Sequence, residues 1–570
     1  MEKTNGKLRQ ALEILFSHQA YRIVLLIMVT LRSSHLLSVY VGPLVKFTLV
    51  WSAAILLKDL FTQRLLFTNR WRGLLYIFLI LYGITSLYHY QENLARNIAM
   101  LCYMATNLML FYAYDLSKPR ESVKREIWNL SHTFMLLTFC GNLLTMAAFV
   151  LNVHLPFTYT SGGVEETSWL GFYSGRMWGF FSNPNTGGDI AIINLMLMTV
   201  CLVMMGKAMP KGWKRFYAVN LVVQSIVFFL SNSRTAWMCI IFFILALPFL
   251  ALLSQLPEKM KEQPVKKVLK RTAALALVAV FAFTGIDGFA KSVLPNLIVP
   301  TTYFTERLLE LSGVDTEDAE KTAAMAGIPT DLERDDYGSF LGGRYYLWKA
   351  GVGITVNHPL LGVSAENIEA YANEYAAWPQ TYEQAEQAYL ARQEAAKEKQ
   401  LLETYKSMKK AEWADNFGQA EELAETMEQL EQAEIPEYEP YLPGISGGLH
   451  NMIFQVAASS GLPALLVIGI MALGFLILLI KYYIYAFRQK KVMPLIAAMT
   501  AFILVFLVRS MSETGLIYGI SYSSILFWSF VSYTMYFIEK ETAGEPSFEK
   551  GRNPLLARLS RKVFSGKKGR

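Results

Sequence analysis

The chain has only four cysteines, Cys102, Cys140, Cys201 and Cys239, and each falls inside an apolar stretch. None forms a Cys-x-x-Cys pair, which argues against a disulfide framework and against a thiolate metal site. Charge is scarce as well: 17% of the 570 residues are Asp, Glu, Lys or Arg, against about a quarter in an ordinary soluble protein. No segment repeats at a solenoid period, so a stacked-repeat architecture is not expected. The first apolar run follows a basic N-terminus, lacks a small-residue cleavage site and continues into a second run, so no cleavable signal peptide is expected. The links expected outside the membrane carry no Asp-x-Asp pair and no His/carboxylate cluster at ligand spacing, so no metal and no cofactor is expected.

What the chain has in quantity is apolar sequence: 53% of residues are hydrophobic and the mean hydropathy is +0.29. A bilayer is crossed by roughly 20 apolar residues in a helix. About twelve such stretches recur, near 20–39, 41–60, 72–90, 96–115, 127–151, 186–205, 214–231, 235–254, 270–287, 450–480, 492–510 and 517–537. Alternate links between them are basic, from Lys58, Arg64 and Arg70 to Arg488, Lys490 and Lys491, as is the tail after Lys540. Basic links stay in the cytoplasm, so both termini are expected there. The net charge of +7 then reflects topology and a tail resting on anionic lipid, with no nucleic-acid partner needed.

The expected fold is an all-α polytopic integral membrane protein of the cell (cytoplasmic) membrane, with one large helical extracytoplasmic loop. Residues 1–287 hold transmembrane helices 1–9, 288–449 the loop domain, 450–537 transmembrane helices 10–12, and 538–570 the basic cytoplasmic tail. Within the loop, 371–434 turns to Ala, Glu, Gln, Lys and Tyr, strong helix formers with many i,i+4 charge pairs. Two helices are expected there, with a break at 414–419. The hairpin reads either as a solvated spacer or as a lid or partner-binding arm.

Polar chemistry gathers on the side expected to be outside. Arg176 lies in "GRMWGFFSNPN" (175–185), where Asn185 is expected to cap the next helix and Asp189 to sit in its first turns. Arg234 lies in "SNSRTAW" (231–237), a link so short that it holds the guanidinium at the interface, either snorkelling or clamping a diphosphate. Arg344 opens "RYYLW", where Tyr345 and Trp348 either pack or stack on a sugar ring. His450 and Asn451 stand at the mouth of the tenth span, where an imidazole takes a proton near neutral pH or simply helps start a helix.

His450-Asn451, nine residues and Gly461 resemble the His-Asn-x9-Gly signature of the O-antigen ligase and O-antigen polymerase superfamily. Three further segments resemble that family in order: 175–185, 231–237, and "GRYYLWKAGVGITVNHPLLGVSAENI" (343–368) with its Gly-Arg, Trp and His-Pro-Leu-x-Gly elements. Ala464 and Trp348 depart from the ligase branch more than from the superfamily. The hairpin at 371–434 has no counterpart. The resemblance implies a metal-independent, inverting glycosyltransferase in cell-surface polysaccharide biosynthesis. Its donor is an undecaprenyl-diphosphate-linked glycan, its acceptor a glycan or glycolipid hydroxyl, and its surroundings membrane lipid and other envelope-polysaccharide proteins. In that reading His450, Arg344 and Arg234 are catalytic, and Arg176, Asn451, Tyr345, Trp348 and Asn185 bind substrate. The rival is a polysaccharide or lipid-linked oligosaccharide transporter or flippase. Such a protein places charged or broken elements near the midplane, whereas here the cores of most spans lack charge.

Overall fold

A computed structural model describes residues 12–548, apart from 62–66, 68, 162–163, 174, 182, 260–263, 313, 317–343, 376–377, 414–416, 433–447, 490–492 and 546–547. Apolar segments in lipid must satisfy their own backbone groups, and helices do so. The helices are α1 (His18–Arg32), α2 (His35–Phe61), α3 (Arg72–Tyr88), α4 (Leu94–Ala105), α5 (Arg120–Val150), α6 (Pro184–Met205), α7 (Lys211–Ser231), α8 (Arg234–Lys259) and α9 (Val265–Val293). After them come α10 (Tyr303–Leu311), α11 (Arg344–Asn357), α12 (Ile368–Tyr375), α13 (Trp378–Trp413), α14 (Phe417–Gln432), α15 (Met452–Arg488), α16 (Pro494–Arg509) and α17 (Tyr522–Glu541).

By length and composition, six helical stretches among the described residues suffice to cross a membrane: Leu36–Phe61, Leu94–Phe111, Arg120–Val150, Pro184–Ala208, Lys266–Leu297 and Met452–Arg488. Arg72–Tyr88, Arg234–Leu250 and Pro494–Arg509 are apolar but shorter. Every residue from Tyr522 to Glu539 is buried, so α17 runs through the protein interior. At the other extreme, only 6% of the apolar window of α9 is buried, which suits a helix on the lipid-facing periphery.

Three local features depart from the sequence expectation. The first break falls at Ser33–Ser34, not near residue 40. The fourth span ends in a π turn, Thr106–Phe111, where carbonyls escape the helical ladder. Buried Arg22 donates to the carbonyls of Leu110, Phe111 and Ala113 at 2.8–3.0 Å, and buried Arg72 to those of Leu108 and Met109, so none is stranded. The third departure is a small sheet within an otherwise helical chain that fits the all-α expectation. Three antiparallel strands, β1 (Leu155–Ser161), β2 (Val164–Tyr173) and β3 (Arg176–Trp178), pair in the order β1-β2-β3.

The glycine that closes the His-Asn-x9-Gly spacing has a structural task. Gly461 interrupts α15 with φ 79° and ψ 171°, and a Cβ there would lie 2.3 Å from the Leu360 carbonyl oxygen. Across the gap Gly362, at φ +68°, would drive a Cβ to 2.4 Å from the Ala458 carbonyl oxygen. Two backbones thus dock directly. Leu462 N–H donates to Pro359 O, and the N–H groups of Val363 and Ser364 donate to Ala458 O and Ser459 O, at 2.8–3.0 Å. Gly461→Ala forces a glycine-only conformation, worth of order 1–3 kcal/mol, on top of the clash. The yield of folded protein in detergent is expected to drop sharply, whereas an exposed helical substitution such as Leu466→Ala leaves it unchanged.

Candidate active site

The four segments singled out in the sequence converge on the turn between α7 and α8. Asn232, in the left-handed region, ends α7 and donates to Gly175 O at 2.7 Å, tying the turn to the strand segment that carries Arg176. Arg176 Nε donates to Ser231 O at 3.1 Å and its Nη2 to Asn185 Oδ1 at 2.6 Å. Three residues on from Ser231, half-buried Arg234 begins α8. Thr235 follows and accepts from both Nη1 and Nη2 of Arg344 at 3.2 Å. Gly188 brings α6 against the same turn, since a Cβ there would meet Ser231 Oγ at 2.7 Å and Ser233 Cβ at 2.9 Å.

Arg344, the first described residue of α11, reaches beyond Thr235. Its Nη2 donates to Glu513 Oε1 at 3.1 Å, and the other carboxylate oxygen, Oε2, lies 3.2 Å from His450 Nδ1. One carboxylate thus bridges guanidinium and imidazole. With Nδ1–H donating to Glu513, the neutral ring presents Nε2 as its acceptor. The cluster is half-buried: the side chains of His450, Arg344 and Glu513 are 30%, 25% and 17% exposed. Burial alone would raise the Glu513 carboxyl, but the His450 hydrogen bond and the Arg509 and Arg344 charges outweigh it and hold the group below the usual carboxylate range.

Local backbone fixes the imidazole. His450 adopts φ +46° after Gly448 at φ +78°, a conformation that costs a non-glycine residue of order 1–3 kcal/mol. Asn451 then caps α15: its Oδ1 accepts from Ile453 N at 2.9 Å and Phe454 N at 3.3 Å, and its Nδ2 donates to Met511 O at 2.9 Å. This amide therefore positions both neighbours, since it joins His450 to the segment that carries Glu513. That segment is anchored in turn by half-buried Arg509, whose Nε donates to Oδ2 of buried Asp189 at 2.9 Å.

Sequence reasoning placed the helix cap at Asn185; Asn183 takes that role. Asn183 is extended, and its Oδ1 accepts from Asn185 N–H at 2.8 Å. Pro184 is the reason, because proline favours the first helical position and leaves the cap to the residue before it. Asn185 instead receives Arg176. Trp348 is half-buried, its ring 5.8 Å from that of Phe454, and belongs to the small core that seats α11 against the start of α15. Tyr345 is exposed on the same helix. Sequence reasoning missed Glu513, the group that joins the basic and imidazole side chains. A cavity of about 250 Å³ beside His18, Arg22 and Lys118 lies among other residues than these.

Residues 219–391 match the family described as O-antigen ligase. The match spans Arg234, Arg344 and the His-Pro-Leu-x-Gly loop, while His450 lies beyond it. A search of curated proteins and of solved structures returns no match. The domain at 219–391 thus supports a place in the O-antigen ligase and polymerase family, whose members are membrane enzymes that transfer glycosyl groups.

Proposed function

We propose that the chain transfers a glycan from undecaprenyl diphosphate to an acceptor hydroxyl on the extracytoplasmic face of the cell membrane, with inversion at the anomeric carbon. The observation that carries this reading is the Arg344–Glu513–His450 cluster, set beside the turn that gathers Arg176 and Arg234. When the sugar–oxygen bond breaks, negative charge grows on the leaving diphosphate. Fixed guanidiniums stabilise that state more than the bound donor, which is the condition for acceleration. Arg344 and Arg234 take the diphosphate, with Arg176 behind them, in the place a divalent cation would otherwise occupy.

His450 Nε2 accepts the proton of the acceptor hydroxyl as its oxygen bonds to the anomeric carbon. Glu513 holds the Nδ1–H and stabilises the imidazolium that forms, as the acid of a catalytic triad does. Glu513 is a positioning residue. When the diphosphate arrives, Arg344 exchanges carboxylate for phosphate, which leaves Glu513 to serve the imidazole alone.

Glu513→Gln keeps the shape and removes the charge. Transfer rate is expected to fall about 10- to 100-fold with little change in donor KM, whereas Glu513→Asp recovers part of the loss. Equal effects of both substitutions on rate and KM would contradict the positioning role. The function itself is tested on a deletion strain. Single glycan units accumulating on the carrier indicate lost polymerisation, long chains indicate lost ligation, and an unchanged carrier pool contradicts the reading.

A further inference from the structure

Away from Arg344 and His450, a second cavity of about 490 Å³ opens between the loop after α3 and the start of α12. Gln91, Glu92, Asn93, Asn367, Tyr371 and Glu374 line it, and among the described residues no cation does. Its wall is pre-set. Glu92 Oε1 accepts from the Tyr371 hydroxyl at 3.0 Å, and Glu92 Oε2 from Asn367 Nδ2 at 3.2 Å. Asn367 Oδ1 accepts from Asn93 and from buried Asn97 at 3.2 and 3.3 Å. The Tyr371 ring lies edge-on to the imidazoles of His89 and His358, with centroids 5.9 and 5.2 Å away.

A fastening alone accounts poorly for this wall. The two segments are already joined by the pairing of His89 Nε2 with Gly362 O at 3.2 Å, by Thr85 Oγ1 donating to Leu361 O at 2.6 Å and by Glu366 N–H donating to Asn97 Oδ1 at 3.1 Å. What remains is a cavity offering carboxamides that donate and accept, carboxylates that accept, and an aromatic side chain. Sugars need this combination, because their hydroxyls both donate and accept and their CH faces pack on rings. Glu92 Oε2 also lies 3.4 Å from His89 Nδ1, but with no lysine or arginine among the described lining residues the two carboxylates repel phosphate and uronate and favour neutral or amine-bearing units. The cavity lies toward the end of α11 away from Arg344, where His358, just past the helix, faces Tyr371 of the cavity wall. The 14 residues of that helix, at 1.5 Å each, span about 20 Å, a distance bridged by a short run of sugars.

We propose that this cavity is a distal glycan subsite, which holds an uncharged or amine-bearing sugar of the chain several units from the reacting end. The role rests on the glycan-transfer reading above. The probe is glycan released by mild acid from the carrier pool of a strain lacking this protein, so that it carries neither lipid nor diphosphate. Binding to the full-length protein in detergent is followed by saturation-transfer NMR, and transfer from the intact carrier-linked donor is measured in parallel. Gln91→Ala and Glu374→Gln alter exposed rim residues and spare the fold; each is expected to weaken binding roughly fivefold. Arg344→Ala is expected to bind the released glycan as the wild type does. No binding by the wild type, or unchanged binding by both rim variants, overturns the subsite. Transfer without such binding refutes the subsite alone, and binding without transfer refutes only the transferase reading.

Discussion

His450→Ala is expected to lower glycan transfer about 10²- to 10⁴-fold, the range contributed by a positioned general base. Expression and thermal stability should change little. The helix start is secured by Asn451 and Met511, not by the imidazole, and alanine keeps the Cβ that is already accommodated at φ +46°. Mass spectrometry of the glycan and of free carrier diphosphate reads the result. The pH profile bears on the neighbouring carboxylate. Glu513 is held below its ordinary range, so its charge, and whatever stability that charge confers, is complete above the usual carboxylate value of about 4.3. It is lost only as pH falls through the depressed folded-state value. Glu513 therefore stays charged on mild acidification from neutrality, and a rate lost there is not the protonation of this carboxyl.

Arg344→Ala is expected to lower transfer about 10²- to 10³-fold, the loss typical of removing one preorganised donor from a transition-state anion site. Arg344→Lys should recover little. A lysine presents one compact charge where the guanidinium meets Thr235 through two nitrogens and Glu513 through one of them. The loss should appear mainly in kcat, because the charge on diphosphate grows toward the transition state. An effect confined to KM would mean that Arg344 only anchors the donor. Removing Arg344 also leaves Glu513 with His450 and Arg509, so double variants with Glu513→Gln should be less than additive.

The site was legible where a short segment carried its own signal. Gly362 and Gly461 stood out only as elements of the family-like motifs, and they meet where two backbones dock. His450 stood out as an ionisable group at a span end, where such groups are costly unless used, and Arg344 by the Gly-Arg element it shares with the family. Glu513 did not, because a search for cations and imidazoles passes over acids. Its partners lie 63 and 169 residues away in sequence. A symmetric count of outside charges would have found it in "RSMSETG", beside Arg509. The strands at 155–178 also carried a readable signal: alternating Phe157, Tyr159 and then Gly162-Gly163 is a hairpin pattern. The helical count masked it. Asn183 lost the cap to Asn185 in the sequence reading because Pro184 was treated as part of the turn, although its fixed φ suits the helix itself.

The central claim is that these side chains break a sugar–diphosphate bond. Purified protein in proteoliposomes loaded with carrier-linked glycan tests it directly. Wild-type protein is expected to release free undecaprenyl diphosphate in step with transferred or lengthened glycan, and Arg344→Ala protein to release almost none. Movement of intact lipid-linked glycan across the bilayer, with no diphosphate released by either protein, would contradict the account.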